Sequence, residues 1–166
     1  MIKANILIVD NTPLHLISLS RILTEESYEV RTALNSQIAL NTAKLNPPDL
    51  ILLEINLPER NGYEVCQHLK ADFRTREIPV IFISDLKTAA HKVKAFDVGG
   101  VDYITKPCRG EEVCARIQNQ LRIHRRKQLL IAQNALLREQ NALLREEIRK
   151  LESWQIRRFC TPVDLN

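Results

Sequence analysis

The chain has 166 residues, of which 45% are hydrophobic, enough for one domain of ordinary size plus an appendage. Residues 1–121 carry a net charge of −1 and residues 122–166 a net charge of +5, so the basic character lies in the C-terminal segment. The apolar runs are far shorter than the ~18 residues of a membrane span and no signal-peptide pattern is present, which predicts a cytoplasmic protein without membrane contact. The four cysteines form no C-x-x-C pair, which argues against a zinc site and a disulfide scaffold.

Five short apolar runs recur along the chain, each followed by a stretch long enough for a helix. Runs such as residues 6–9 and 50–53 are apolar without alternating polar residues, which is typical of strands covered by helices on both faces. The pattern predicts an α/β fold with a doubly wound, five-stranded parallel sheet between two helical layers. The predicted strands are residues 5–9, 28–33, 49–53, 79–83 and 101–104.

The stretches after the strands carry apolar residues at three- and four-residue steps, the spacing of one helix face. Thr12 and Pro13 fit the N-cap and the first position of the first helix. We expect five stripes to face the sheet: Leu16, Leu19 and Leu23; Ile38, Thr42 and Leu45; Val65, Leu69 and Phe73; Ala89, Val93 and Phe96; Val113, Ile117 and Leu121.

Polar side chains collect where the predicted strands end. In a sheet of this kind, ligands bind at the carboxyl ends of the strands. Carboxylates are ligands suited to Mg²⁺, whereas a hydroxyl and an ammonium group are donors suited to phosphoryl oxygens. The pattern therefore predicts a pocket that handles an anion beside a cation, built from Asp10, Asn11, Glu54, Ser84 and Lys106.

Residues 1–121 resemble the receiver domain of two-component response regulators. The resemblance rests on an ordered set of motifs: I-L-I-V-D-N-T-P at 6–13, D-L-I-L-L-E-I-N-L-P at 49–58, N-G-Y-E-V-C at 61–66, I-P-V-I-F-I-S at 78–84 and G-G-V-D-Y-I-T-K-P at 99–107. It implies a flavodoxin-like fold with strand order 2-1-3-4-5. It also implies that a partner histidine kinase supplies phosphate to an aspartate after the third strand.

The resemblance assigns a role to each polar residue at the strand ends. Asp10 and Asn11 match the metal-binding acidic pair, and Glu54 matches the phosphoacceptor. Asn56 matches the residue whose backbone carbonyl binds Mg²⁺. The remaining matches are Ser84 as the switch hydroxyl, Tyr103 as the switch aromatic residue and Lys106 as the phosphate-binding lysine, with a cis bond expected before Pro107.

Two of these positions depart from the family pattern. Glu54 stands where the family has aspartate, and Asn11 stands where it usually has a second acid. The extra methylene of Glu54 displaces the carboxylate by about 1.5 Å, and a misplacement of ~1 Å can cost ~10²-fold in rate. Asn11 removes one negative charge from the metal site. We therefore expect poor phosphorylation and weak Mg²⁺ binding.

The longer side chain of Glu54 reaches toward Lys106 and Ser84, where a phosphoryl group would sit on a shorter aspartate. Glu54 either imitates the phosphorylated state or is inert, and the residues leave both interpretations open. A third alternative is that glutamate was engineered into a conventional phosphate-accepting regulator. Shifting a two-state switch from 1:99 to 99:1 takes about 5.5 kcal/mol. Two partial contacts fall short of that free energy, so a mimic should give a mixture of states. Tyr103 should point inward in more molecules than in a Glu54→Gln variant, but not in all of them.

Residues 122–156 contain a heptad repeat without Pro or Gly, in which A-L-L-R-E at 135–139 recurs at 142–146. Leucine at position d with asparagine at position a favours a parallel two-stranded coil, because buried amides pair only in that register. A second leucine column at position c lies outside such a seam and leaves a larger bundle open. The predicted dimerisation residues are Leu130, Asn134, Leu137, Asn141, Leu144, Ile148 and Leu151.

The sequence predicts a dimeric signalling module rather than an enzyme, because no nucleotide loop or nucleophile–base pair accompanies the receiver motifs. Residues 157–166 are too short for an output domain, so the output is expected from a downstream effector protein or from a missing domain. The family resemblance makes a histidine kinase the expected upstream partner. A basic-zipper DNA reader is a further alternative, since Arg122, Arg125, Arg126 and Lys127 precede the leucine repeat. That cluster is short and its helix continues from a globular domain, so we do not expect nucleic-acid binding.

Overall fold

The computed structural model describes residues 2–159, which fall into two compact units that divide between His124 and Arg125. The first unit contains the sheet and its helices. The second consists of the remainder of one long helix. The predicted tail of residues 157–166 lies mostly outside the described residues.

The first unit is built on a five-stranded parallel sheet with strand order β2-β1-β3-β4-β5, which confirms the predicted fold class. The first strand has the predicted bounds, and each of the other four begins one residue later than predicted. The strands are β1 (Asn5–Val9), β2 (Glu29–Ala33), β3 (Leu50–Leu53), β4 (Val80–Ser84) and β5 (Asp102–Thr105).

Helices follow every strand. The side chains of Asn35 and Asn61 cap α2 and α3 by accepting hydrogen bonds from the backbone N–H groups of Ile38 and Glu64. Thr12 occupies the N-cap position of α1 and Pro13 its first turn, but the Thr12 side chain makes no capping hydrogen bond. The helices are α1 (Pro13–Glu25), α2 (Ser36–Leu45), α3 (Gly62–Ala71), α4 (Ala89–Asp97) and α5 (Gly110–Phe159).

The hydrophobic core has two halves, one on each face of the sheet. Along β1, Leu7 and Val9 pack into one half and Ile6 and Ile8 into the other, as the two-residue period of a strand requires. Every residue of β3 is buried. This double coverage holds the strands in fixed register, so the positions of the residues at their carboxyl ends are fixed as well.

The predicted inward stripes are confirmed for α1 and α5, wrong in part for α2 and α3, and wrong for α4, where Ala89, Val93 and Phe96 are all exposed. In α2, Ile38 and Leu45 are exposed, and Ala39, Leu40 and Ala43 face the sheet instead. The correct stripe lies one residue, or about 100° of helix rotation, from the predicted one. Alanine at the contact lets a helix lie close to the sheet, and a search for large apolar residues overlooks it.

The same error affects α3 and α4. Phe73 lies beyond the end of α3 and is exposed, whereas Val65 and Leu69 are buried as predicted. In α4, Val93 and Phe96 are exposed, and Ala95 is the buried residue. Few apolar side chains therefore anchor α4 to the sheet.

Gly62 begins α3 where the chain passes against the backbone of the strand end. A Cβ atom there would overlap the carbonyl oxygen of Glu54 and lie 2.9 Å from Cα of Ile55. We expect Gly62→Ala to lower the free energy of unfolding by about 1–3 kcal/mol, because backbone atoms must move. Urea unfolding monitored by circular dichroism measures this.

Gly110→Ala is the matched control for this substitution. A Cβ atom at Gly110 would meet only the side chain of Ile22, at 3.1 Å, and that side chain can move. We expect a clearly smaller loss of stability. Equal losses for the two variants would contradict the close backbone approach at Gly62.

Candidate functional site

The carboxyl edge of the sheet brings together three charged side chains that are distant in sequence. The Lys106 ammonium donates hydrogen bonds to Asp10 Oδ2 at 2.8 Å and to Glu54 Oε2 at 2.6 Å. Asp10 follows β1, Glu54 follows β3 and Lys106 follows β5, so the strand order places the lysine opposite both acids. Asp10 and Glu54 are 1% and 4% exposed, so this is a buried ion triad.

Every carboxylate oxygen in the triad already accepts a hydrogen bond. Glu54 Oε1 accepts from the backbone N–H groups of Ile55 at 2.7 Å and Asn56 at 3.0 Å. Asp10 Oδ1 accepts from the backbone N–H of Thr12 at 2.8 Å. Because the remaining two oxygens are bound to Lys106, both buried acids are fully paired, which a buried charge requires.

The proximity of the three charges shifts the pKa values of two of them. Burial alone would raise the pKa of Asp10, but the hydrogen bonds from Lys106 and from Thr12 outweigh it, and the pKa lies below its ordinary value of 3.8. Burial would lower the pKa of Lys106, but its bonds to Asp10 and Glu54 raise it above 10.5. Both shifts favour the charged forms, so Asp10 and Lys106 remain ionised across the neutral pH range.

One contact expected from the sequence, between Ser84 and Glu54, is absent from the structure. The Ser84 hydroxyl is buried, and it makes no hydrogen bond to Glu54. The Glu54 carboxylate instead turns back onto the backbone N–H groups that follow it. Asn11 and Asn56 are exposed at the rim.

Tyr103 lies inward in this structure. Its side chain is buried in the core, and its hydroxyl donates to the carbonyl oxygen of Leu86 at 2.6 Å. Burial raises the pKa of Tyr103. The peptide bond before Pro107 is cis, as expected.

Sequence reasoning missed His15. Its Nδ1 lies 3.1 Å from Asp10 Oδ2 and 3.1 Å from Lys106 Nζ, so the imidazole contacts both the acid and the ammonium group. His15 stands in the first turn of α1, which begins at the carboxyl end of β1. A polar residue in that turn is the signal that could have identified it.

Comparisons with known proteins agree with this geometry. The family described as the response regulator receiver domain matches residues 6–118. The chain belongs to that family. Receiver domains act in two-component signalling, where they interact with histidine kinases and effector domains, and they are typically regulatory modules rather than enzymes.

Two curated relatives illustrate the match. A probable cyclic di-GMP phosphodiesterase of Vibrio cholerae is 33% identical over 150 residues, which cover 90% of this chain and 34% of that protein. The response regulator PleD of Caulobacter vibrioides is 37% identical over 120 residues, covering 72% and 26%. The chain thus spans about a quarter to a third of the length of these relatives.

Solved structures give the same result. A receiver domain protein from Methanospirillum hungatei superposes with a TM-score of 0.71 at 25% identity, covering 76% of this chain and 99% of that one. The BeF₃-activated receiver domain of DrrB gives 0.66 at 30% identity, covering 74% and 99%. Within residues 2–159, no helix is long and apolar enough to cross a membrane.

Receiver domains in general bind Mg²⁺ at the phosphorylation site, but the residues present here fit this ion poorly. Mg²⁺ needs oxygen ligands in a strict octahedral shell. The carboxylate oxygens of Asp10 and Glu54 are bound to Lys106 and to backbone N–H groups, and Asn11 contributes no charge. Across the described residues, no group of three or more His, Cys, Asp or Glu side chains is placed to hold a metal ion.

Replacing the lysine tests the strength of the triad. We expect Lys106→Met to lower the free energy of unfolding at pH 7 by about 3–5 kcal/mol, because it leaves two buried carboxylates without a cation. Since the lowered pKa of Asp10 stabilises the fold only while Asp10 is ionised, this deficit should shrink as the pH falls below 3.8. Urea unfolding over a pH series measures both effects.

The control is Lys87→Met, which removes an exposed lysine outside the triad. Surface substitutions of this kind change stability by within about 0.5 kcal/mol. A deficit for Lys106→Met that matches the control would show that the triad contributes little to stability.

Proposed function

We propose that this chain is a response-regulator receiver module that signals without phosphorylation at residue 54. Glu54, at the position of the phosphoacceptor, makes with its own carboxylate the contact to Lys106 that a phosphoryl group would make. The observation that carries this proposal is the 2.6 Å distance between Glu54 Oε2 and Lys106 Nζ. The module itself is proposed to be non-enzymatic.

Two features favour imitation of phosphate over an inert site. The Glu54–Lys106 pair is charge-assisted and buried, which makes it stronger than a neutral hydrogen bond. Tyr103 lies inward with its hydroxyl bonded to Leu86, the orientation expected of a mimic. The glutamate therefore reproduces part of the charge pattern of a phosphorylated aspartate.

The imitation is partial. Glu54 carries one negative charge, whereas a phosphoryl group carries about two at neutral pH. Ser84 makes no bond to it, so one of the two side-chain contacts expected of a phosphate is missing. Hydrogen bonds to charged groups contribute about 1.5–3 kcal/mol each. We infer that Glu54 biases the switch toward its active state rather than fixing it there.

The proposed consequence for metal binding is weak affinity for Mg²⁺ at Asp10, Asn11, Glu54 and Asn56. The loss of an acid at position 11 removes charge from the site. The ammonium of Lys106 also supplies a positive charge next to both remaining acids.

We expect the wild-type chain to resist phosphorylation by a small phosphodonor such as acetyl phosphate with Mg²⁺. The Glu54 carboxylate is displaced and its oxygens are occupied by Lys106 and by backbone N–H groups. Intact mass spectrometry followed by peptide mapping should show no hydroxylamine-labile phosphate on residue 54. Ready phosphorylation of Glu54 would contradict the proposal.

Two variants make this experiment informative. Glu54→Asp should recover phosphorylation only partly, because the metal site still lacks one charge. Glu54→Asp combined with Asn11→Asp should recover substantially more, since it restores both family residues. Equal recovery by the two variants would show that Asn11 does not limit metal binding.

We also propose that the chain forms a parallel homodimer through the second unit. The heptad leucines of α5 are more than half exposed within the single chain, and so is Ile148. A helix that exposes these five apolar side chains is unstable in water without a partner. Asn134 and Asn141 would pair across the seam and fix the parallel register.

Light scattering coupled to size-exclusion chromatography tests the assembly. We expect at least two chain masses for the full-length protein at tens of micromolar. Truncation after Leu121 should give a monomer, because it keeps the buried residues of the first unit and removes the heptads. A monomeric full-length chain would contradict this part of the proposal.

The proposed partners are a histidine kinase upstream and an effector protein or domain downstream. The V. cholerae relative matches 150 residues, which is longer than the 6–118 range of the receiver match. Part of the long helix is therefore shared with that relative, which supports a signalling role for the helix.

A further inference from the structure

The proposed dimer leaves a second column of leucines on α5 without a partner. Leu129, Leu136 and Leu143 each precede a leucine of the d column by one residue. They are 64%, 56% and 59% exposed, as accessible as the leucines of the seam itself. In a two-stranded coil the core is formed by positions a and d, so these three residues, at position c, stay in water.

Between residues 129 and 146, the charges on this helix avoid the surface between the two columns. Each residue advances the helix by about 100°, so positions c, g, d and a together cover an arc of about 160°. From 129 to 144, the g positions in the middle of the arc are Gln133 and Gln140, which are uncharged. The charged residues from 129 to 146 all lie at positions e and f, on the opposite side: Arg138, Glu139, Arg145 and Glu146.

The leucines at positions c and d lie about 100° apart around the helix, which is wider than the stripe that a two-stranded seam buries, and the g and a positions of the arc are uncharged Gln and Asn. A strict a/d pattern gives a narrow stripe, whereas a wider apolar face is typical of helices in a larger bundle. The breadth of the arc therefore indicates that each helix contacts more than one other helix.

Resting on the proposed dimer, we propose that a second dimer of this same chain covers the position-c leucines and produces a tetramer. The c column repeats every seven residues, like the d column, so helices of identical sequence can keep both columns in step along their length. The c column of leucines ends at Leu143, because the next c position is occupied by Lys150 and the g position before it by Glu147. The contact between dimers thus runs from residue 129 to 143, about 21 Å of helix.

The test compares three full-length variants with the wild type by light scattering and sedimentation equilibrium at tens of micromolar. The first variant carries Leu129→Gln, Leu136→Gln and Leu143→Gln. The second carries the same change in the d column, at Leu130, Leu137 and Leu144. Glutamine keeps the helix propensity close to that of leucine, so the comparison concerns contacts rather than helix formation.

The matched control carries Ala132→Gln, Ala135→Gln and Ala142→Gln, at positions f and b outside the uncharged arc. Circular dichroism and thermal unfolding of each variant establish that the receiver unit and the helix remain folded. A variant that loses helix is replaced by single Leu136→Gln or Leu137→Gln, which remove the central residue of each column.

We expect four chain masses for the wild type and the control, two for the c-column variant, and loss of the dimer for the d-column variant. The c-column change should weaken association of dimers at least 100-fold. A wild-type dimer, or a tetramer that survives the c-column change, would overturn the tetramer but leave the dimer intact. A wild-type monomer would overturn both proposals.

Discussion

The ion triad of Lys106, Asp10 and Glu54 is the interaction on which the properties of this site depend. Two carboxylates this deeply buried are tolerated only with a cation between them, and Lys106 supplies it at 2.8 and 2.6 Å. The same contacts occupy the oxygens that a metal would need and the ammonium group that a phosphoryl group would need. In the function that we propose, one lysine would therefore couple stability, metal affinity and phosphorylation.

The sheet makes this triad possible. Three neighbouring strands of a parallel sheet, β1, β3 and β4, are buried on both faces, and their ends lie along one edge. Gly62 lets α3 begin directly against the backbone of Glu54, which positions that carboxylate. By contrast, α4 is anchored by a single buried alanine and by the hydrogen bond from the Tyr63 hydroxyl to the carbonyl oxygen of His91, while Tyr103 holds the preceding segment at Leu86. The site is thus rigid on one side and adaptable on the other.

The second unit has a different physical basis. Its helix buries almost nothing within the chain, and the contacts with other copies that we propose would stabilise it. The contacts within the receiver site depend on the charges of its residues. The association that we propose for the helix would depend on the protein concentration. Association at the helix and a permanent carboxylate at position 54 would together make a module that does not require a phosphate signal.

The fold class could be predicted from the amino-acid sequence, because a parallel sheet covered on both faces requires apolar runs at regular intervals. The specific motifs at the ends of those runs indicated the family, and the family resemblance implied the strand order. The sequence also identified Asp10, Glu54 and Lys106, since the ends of parallel strands meet at one edge. The pairing of each carboxylate oxygen with its donor could not be predicted, because the rotamer of Glu54 depends on the N–H groups that the fold places around it. The same holds for the missing bond from Ser84 to Glu54 and for the contacts of His15. It also holds for the faces of α2 and α4, which follow from how closely each helix lies on the sheet.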